Sequence, residues 1–164
     1  IILPAMKALL SDPDCMIDAF LCPGHVSVIL GWRAYEPIVA DFAKPCVVAG
    51  FDPSQVVAGI EEILRQLVVD SPACGSVYAS VSPGGNVQAQ RVIDRVFESS
   101  DAVWRALGVI PGSGLTLRDE FAEQDAARCF DLPEARPYHA AGCRCGEVIT
   151  GKLAPAECGL FAKT

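Results

Sequence analysis

Three short stretches of this sequence carry residue types whose spacing could do chemistry. Cys22-Pro23-Gly24-His25-Val26-Ser27 offers a thiol, an imidazole and a hydroxyl within six residues, and Gly50-Phe51-Asp52-Pro53 adds a carboxylate. Imidazole exchanges protons near neutral pH and a carboxylate can fix its tautomer, so Cys22, His25 and Asp52 could form an acid/base, metal or thiol constellation. Each also has a plain reading: Asp52 as a helix cap, His25 as a loop histidine bonded to backbone, Cys22 as a core thiol. The third stretch is His139-x3-Cys143-x-Cys145-x12-Cys158. Thiolates two residues apart can reach one metal or neighbouring irons of one cluster, and the Pro- and Gly-containing connection lets Cys158 fold back onto them. With His139 the set would close a Cys3His zinc site, whereas an all-Cys iron–sulfur cluster would be one ligand short. Unliganded thiols in a loose tail are the alternative.

Other chemistries lack their sequence marks. There is no G-x-S-x-G elbow, Walker loop or G-x-G-x-x-G, so serine hydrolase, P-loop and dinucleotide readings have no support. Pro111-Gly112-Ser113-Gly114 reads as a tight turn rather than a phosphate nest. A formal charge of −7 over 164 residues repels a phosphate backbone or an anionic membrane surface, so neither nucleic acid nor membrane is an expected partner. No apolar run approaches a membrane span and no secretory leader is visible, so the chain reads as soluble and unexported. Residue 1 is Ile, as if the chain were cut from something longer.

The elements that must position these residues alternate between strand and helix. Apolar residues between Asp14 and Leu21, stopped at Pro23-Gly24, and Cys46-Val47-Val48-Ala49, stopped at Gly50, predict two short buried strands. Between them Trp32, Tyr35, Val39 and Phe42 recur at helical spacing, with Pro37 in the first turn. Asp52 as cap, Pro53 as first helical residue and Gln55 completing a capping box predict a helix with Val56, Ile60, Ile63, Leu64 and Leu67 buried, and an outer pair of Glu61 with Arg65. Val77–Val81 predicts a further strand, Val87–Glu98 a helix with Ile93, Val96 and Phe97 inward, Ala102–Ile110 a strand closed by Pro111-Gly112, and Asp119–Phe130 a last helix. Cys15, Cys46 and Cys74 sit in apolar stretches and read as small buried hydrophobes. The expectation is an α/β fold, an open, mostly parallel sheet with flanking helices over residues 1–130, then a linker and a small Cys-rich C-terminal tail over 131–164.

Taken together the motifs resemble a known family. Phe20-Leu21-Cys22-Pro23-Gly24-His25-Val26-Ser27-Val28-Ile29, Pro45-Cys46-Val47-Val48-Ala49-Gly50-Phe51-Asp52-Pro53, Gly85-Asn86, Trp104-Arg105-Ala106-Leu107-Gly108, Ile110-Pro111-Gly112-Ser113-Gly114-Leu115, Cys143-Arg144-Cys145-Gly146 and Pro155-Ala156-Glu157-Cys158 resemble the HypD family of hydrogenase maturation factors in order and spacing. The resemblance implies a cytoplasmic scaffold that helps assemble the iron dicyanide carbonyl centre of nickel–iron hydrogenases, working with a small chaperone that shares the iron and a partner that delivers cyanide. It also implies a [4Fe-4S] cluster, with His25 matching the family's P-G-H-V-S histidine and Cys143, Cys145 and Cys158 its first cluster-region cysteines.

The departures shape the expectation. The chain looks like the C-terminal half of such a protein: the N-terminal C-P-x-C dithiol region is absent, further cysteines expected after Phe161 are missing, and Asp52 stands where the family usually has Glu. A fragment, a remnant paralogue and a split protein all fit. The expected functions are part of a maturation factor, completed by a chain supplying the missing N-terminal half, or a non-catalytic metal-binding or protein-interaction module derived from the family.

Overall fold

In chain order, the described residues of the computed structural model (2–130 and 140–163) form helix α1 (Ile2–Leu10), strand β1 (Phe20–Pro23), helices α2 (Gly24–Leu30) and α3 (Glu36–Phe42), strand β2 (Cys46–Ala49), helix α4 (Pro53–Val68), strand β3 (Cys74–Ser76), helix α5 (Val87–Val96), strands β4 (Phe97–Trp104) and β5 (Gly108–Leu117), and short helices α6 (Ala126–Cys129) and α7 (Cys145–Ile149). They fall into two compact units, Asp18–Ile93 and the discontinuous Ile1–Ile17 with Asp94–Thr164. Most of the linker expected over 132–142, with His139, lies at 131–139, outside the described residues.

The unit Asp18–Ile93 is the α/β layer. Its sheet has the order β1-β2-β3, all parallel, with Cys22 level with Val48, Pro23 with Ala49, and Cys46 with Cys74. Central β2 is buried along its length, as a β-branched run covered on both faces should be. Strand alternation puts Leu21, Val47 and Ala49 on the face that carries α4. The two surfaces touch closely: a Cβ on Gly59 would lie 2.6 Å from Leu21 Cδ1. The opposite face carries Cys22, Cys46 and Cys74 and packs on Tyr35, which ends a 3-10 turn over Trp32–Tyr35. Glycine is forced where this turn begins. Gly31 has φ 79°, and a Cβ there would meet Pro83 O at 2.3 Å.

The other unit is built on an antiparallel hairpin. β4 pairs with β5 from Phe97–Leu117 to Trp104–Gly108, and α1 packs on β5. Lys152 donates to Asp12 at 2.6 Å and Met16 N–H to Thr150 O at 2.8 Å, tying the segment after α1 to the Cys-bearing region of the same unit.

Several expectations need correction. The first strand is Phe20–Pro23, not within Asp14–Leu21; Met16, apolar but 68% exposed, lies outside it. The third is Cys74–Ser76 rather than Val77–Val81, because Ser76 Oγ accepts from Tyr78 N–H at 3.0 Å and turns the chain. Ala102–Ile110 is no single strand. Leu107 N–H bonds to Trp104 O at 3.1 Å, Ala106 takes φ 68°, and the chain reverses there. Pro111-Gly112-Ser113-Gly114 then runs inside β5 instead of closing it. A register shift between Ser100 and Ala102 absorbs the proline, with Gly112 at φ 63° donating to Asp101 Oδ1. Asp119–Phe130 splits into a 3-10 turn and α6 because Asp125 leaves helical geometry to cap Ala127 N–H at 3.0 Å. On α4 the outer ion pair is Glu62–Arg65 rather than Glu61–Arg65, and Gly59 and Gln66 are the residues buried; Ile60, Leu64 and Leu67 face outward.

Candidate functional sites: a sheet edge and a thiol pocket

In parallel sheets, loops that follow the strands gather at one edge. β1 and β2 end level, so His25 and Asp52 come to the same edge of the unit Asp18–Ile93. β1 passes directly into α2 at Gly24, and only glycine fits the junction: a Cβ would lie 2.6 Å from the Tyr78 ring and 2.8 Å from Ala49 O. That close passage leaves His25 exposed in the first turn of α2, its ring tilted against Phe51 with centroids 5.2 Å apart. Phe51 is itself 71% exposed, so the pair forms an open aromatic–imidazole surface. After β2, Gln55 folds back over Gly50, where a Cβ would meet Gln55 Oε1 at 1.6 Å.

Asp52 occupies the N-cap position of α4, but its side chain makes no capping bond; its backbone carbonyl receives Gln55 N–H and Val56 N–H instead. The exposed carboxylate is therefore not consumed by the helix. Cys22 does not join the edge. Its buried thiol lies on the opposite side of the strand, and the neighbouring Cys46 thiol together with burial pushes its pKa far up, which keeps it protonated. Ser27 is likewise structural: its hydroxyl donates to Pro23 O at 2.8 Å and meets Tyr35 Oη at 3.1 Å. Burial pushes Tyr35 up to about 12.

The second site belongs wholly to the other unit. Cys143, Cys145 and Cys158 line one open pocket of about 210 Å³ with Arg105, Leu160 and Phe161. Cys143 follows a turn closed by its N–H to Ala140 O, while Cys145 opens α7. Gly146 lets α7 approach the hairpin turn, since a Cβ would lie 3.1 Å from Ala106 O, and this brings Arg105 to the pocket. Thr150 bonds back to Gly146 O, and Arg144 pairs with Glu147, bracing the same short helix.

Cys143 Sγ and Cys145 Sγ lie 3.1 Å apart, in hydrogen-bonding contact. The Cys145 backbone and side chain lower the Cys143 pKa, with Arg105 contributing, whereas the anionic neighbour at Cys143 raises that of Cys145. Backbone amides of Leu160 and Arg144 lower that of Cys158. The pocket thus eases ionisation of Cys143 and Cys158 and opposes that of Cys145. Soft sulfur donors suit iron–sulfur or zinc chemistry in kind. In number they stop at three, and among the described residues no group of three or more His, Cys, Asp or Glu is arranged to hold one ion.

Sequence reasoning had not placed Arg105 or Phe51 in a site. Arg105 reaches the thiols only through the hairpin turn, a contact across about 38 positions that no local spacing reveals; Phe51 had a visible signal, an aromatic beside Asp52 at a strand end. Among the described residues no helix is long and apolar enough to cross a membrane.

Comparison with known proteins accounts for the joint occurrence of these features. The family model for HypD, described as "Hydrogenase formation hypA family", matches residues 1–164. The chain is 40% identical over 165 aligned residues to the Escherichia coli "Hydrogenase maturation factor HypD", with 99% of this chain and 44% of that protein covered. It is 37% identical to the Rhodobacter capsulatus factor and 34% to that of Azotobacter vinelandii, each match covering 96% of this chain and 44% and 43% of the relatives. The chain therefore spans less than half the length of these relatives, and it belongs to the HypD family.

Proposed function

We propose that this chain serves hydrogenase maturation as part of a HypD-type factor, contributing a thiolate metal site and a proton-handling sheet edge to assembly of the iron dicyanide carbonyl centre. The observation that carries the reading is the convergence of Cys143, Cys145 and Cys158 on one pocket beside Arg105, in a chain of this family. Cys143 and Cys158 are the natural metal-binding thiolates, because their environment favours the anion. A [4Fe-4S] cluster bound there would supply single-electron transfer. Its fourth ligand must come from His139 or from another chain. At the sheet edge, exposed His25 presents an imidazole flanked by the Phe51 ring, and Asp52 offers a carboxylate to orient a ligand or a cation. The iron under assembly is cargo, delivered with the maturation chaperone and a cyanide-donating partner.

The three-thiol count favours one second reading, a Cys3His zinc site in a non-catalytic interaction module. Two measurements separate them. Protein purified without oxygen should carry iron and acid-labile sulfide, lost together in Cys158→Ser; stoichiometric zinc instead selects the module. In a strain lacking its own factor, this chain alone should not restore hydrogenase activity, while the chain with the rest of a HypD protein should. Failure of the second arm removes the maturation role.

A further inference from the structure

We infer that the outward face of α4 is a docking surface for the part of a HypD-type protein that lies beyond the stretch this chain matches. Val57, Ile60, Leu64, Leu67 and Val68 occupy that face at helical spacing and are 63%, 45%, 55%, 42% and 85% exposed. Val57, Ile60 and Leu64 line a groove with Glu61 as its one charged member. Such a seam is the pattern a helix presents to a second layer, not to water.

The helix does not need this face for its own anchoring. Its inner side is held by Gly59 against β1 and β2, and by Gln66, whose Oε1 accepts Ala73 N–H at 2.8 Å and whose Nε2 donates to Glu62 at 2.8 Å. The polar side is occupied separately by Glu62 with Arg65. α4 therefore has three distinct faces, of which the apolar one is left over.

Two observations choose the occupant. The relatives carry more than half of their length outside the matched region, which is ample chain to cover one helix. A second copy is disfavoured: a two-fold contact centred on this groove would bring Glu61 toward its own counterpart, between molecules that each carry −7. The complementary surface should be apolar with a basic residue set to meet Glu61. This inference rests on family membership alone and is independent of whether the thiol pocket binds metal.

The test is a titration of this chain with the unmatched part of the Escherichia coli relative, expressed separately and verified as folded by circular dichroism. A one-to-one complex is expected at micromolar concentration. Ile60→Glu with Leu64→Glu should weaken it by about tenfold or more without lowering the melting temperature, because both side chains are already exposed. Glu61→Lys should weaken it too, while Arg91→Glu, exposed on α5, should leave it unchanged. No complex, or one indifferent to the α4 substitutions, overturns the inference. Self-association of the unmodified chain that disappears in the double variant overturns it in favour of a second copy.

Discussion

Cys143 and Cys145 hold their sulfurs 3.1 Å apart, and the two thiols are driven in opposite directions by that contact. The first becomes the more acidic, the second the less. Alkylation of metal-free protein should label Cys143 ahead of Cys145 near neutral pH, because only the thiolate reacts. Cys145→Ala removes the sulfur donor and Arg105→Leu the nearby cation, so each should shift the labelling-rate profile of Cys143 to higher pH. Equal rates at both sites, read by mass spectrometry across pH 6 to 9, would refute the assignment.

His25 and Ser27, two residues apart, should separate function from stability. His25→Ala is expected to leave stability within about 0.5 kcal/mol, since the side chain is exposed. Ser27→Ala strips the partner from buried Tyr35 and should cost about 1–2 kcal/mol by denaturant unfolding. If His25→Ala proves the more destabilising of the two, the histidine is a structural element and not a site residue.

The β1–α2 junction admits no side chain without movement. Gly24→Ala forces a methyl against the backbone oxygen of Ala49 and the Tyr78 ring and should destabilise by about 1–3 kcal/mol. Gly75→Ala, where a Cβ meets nothing within 4 Å, is the control and should be near neutral.

Glu62 supplies a pH-dependent increment. Hydrogen bonds from Arg65 and then Gln66 hold its carboxyl down to about 2, below the ordinary 4.5. The stabilisation is therefore complete above pH 4.5 and disappears as pH falls through 2. Glu62→Gln should cost about 0.5 kcal/mol at pH 7. Its stability difference from the unmodified chain should narrow over that acid window; a pH-independent difference would argue against the ion pair.

How far the sequence disclosed these features depended on how local their causes are. β2 was legible because Val47-Val48 is β-branched and bounded by Pro45 and Gly50, so pattern and burial agree. The Cys143–Cys145–Cys158 grouping was legible because thiols so spaced in a polar segment have few other uses. β1 was misplaced because hydropathy counts Met16 as core while its backbone is committed to Thr150, far along the chain. The hairpin was hidden because Pro111 and Gly112 ordinarily end strands, and only cross-strand support from Ser99 and Asp101 allows them within one. The outward stripe of α4 was mistaken for its inward one because periodicity reports that a helix is amphipathic, not which layer lies beside each face.

The thiols of Cys22, Cys46 and Cys74 give the molecule an internal gauge of its own breathing. They stand on three adjacent strands and one face, with Cys22 and Cys46 almost sealed from solvent, so a small alkylating reagent can reach those two only when the sheet opens. The pocket thiols react from the closed state. Labelling native protein should therefore proceed in two phases: a fast one at the accessible thiols, exposed Cys129 and the pocket cysteines among them, and a slow one at Cys22 and Cys46 whose rate follows the opening equilibrium of the sheet and rises with added denaturant.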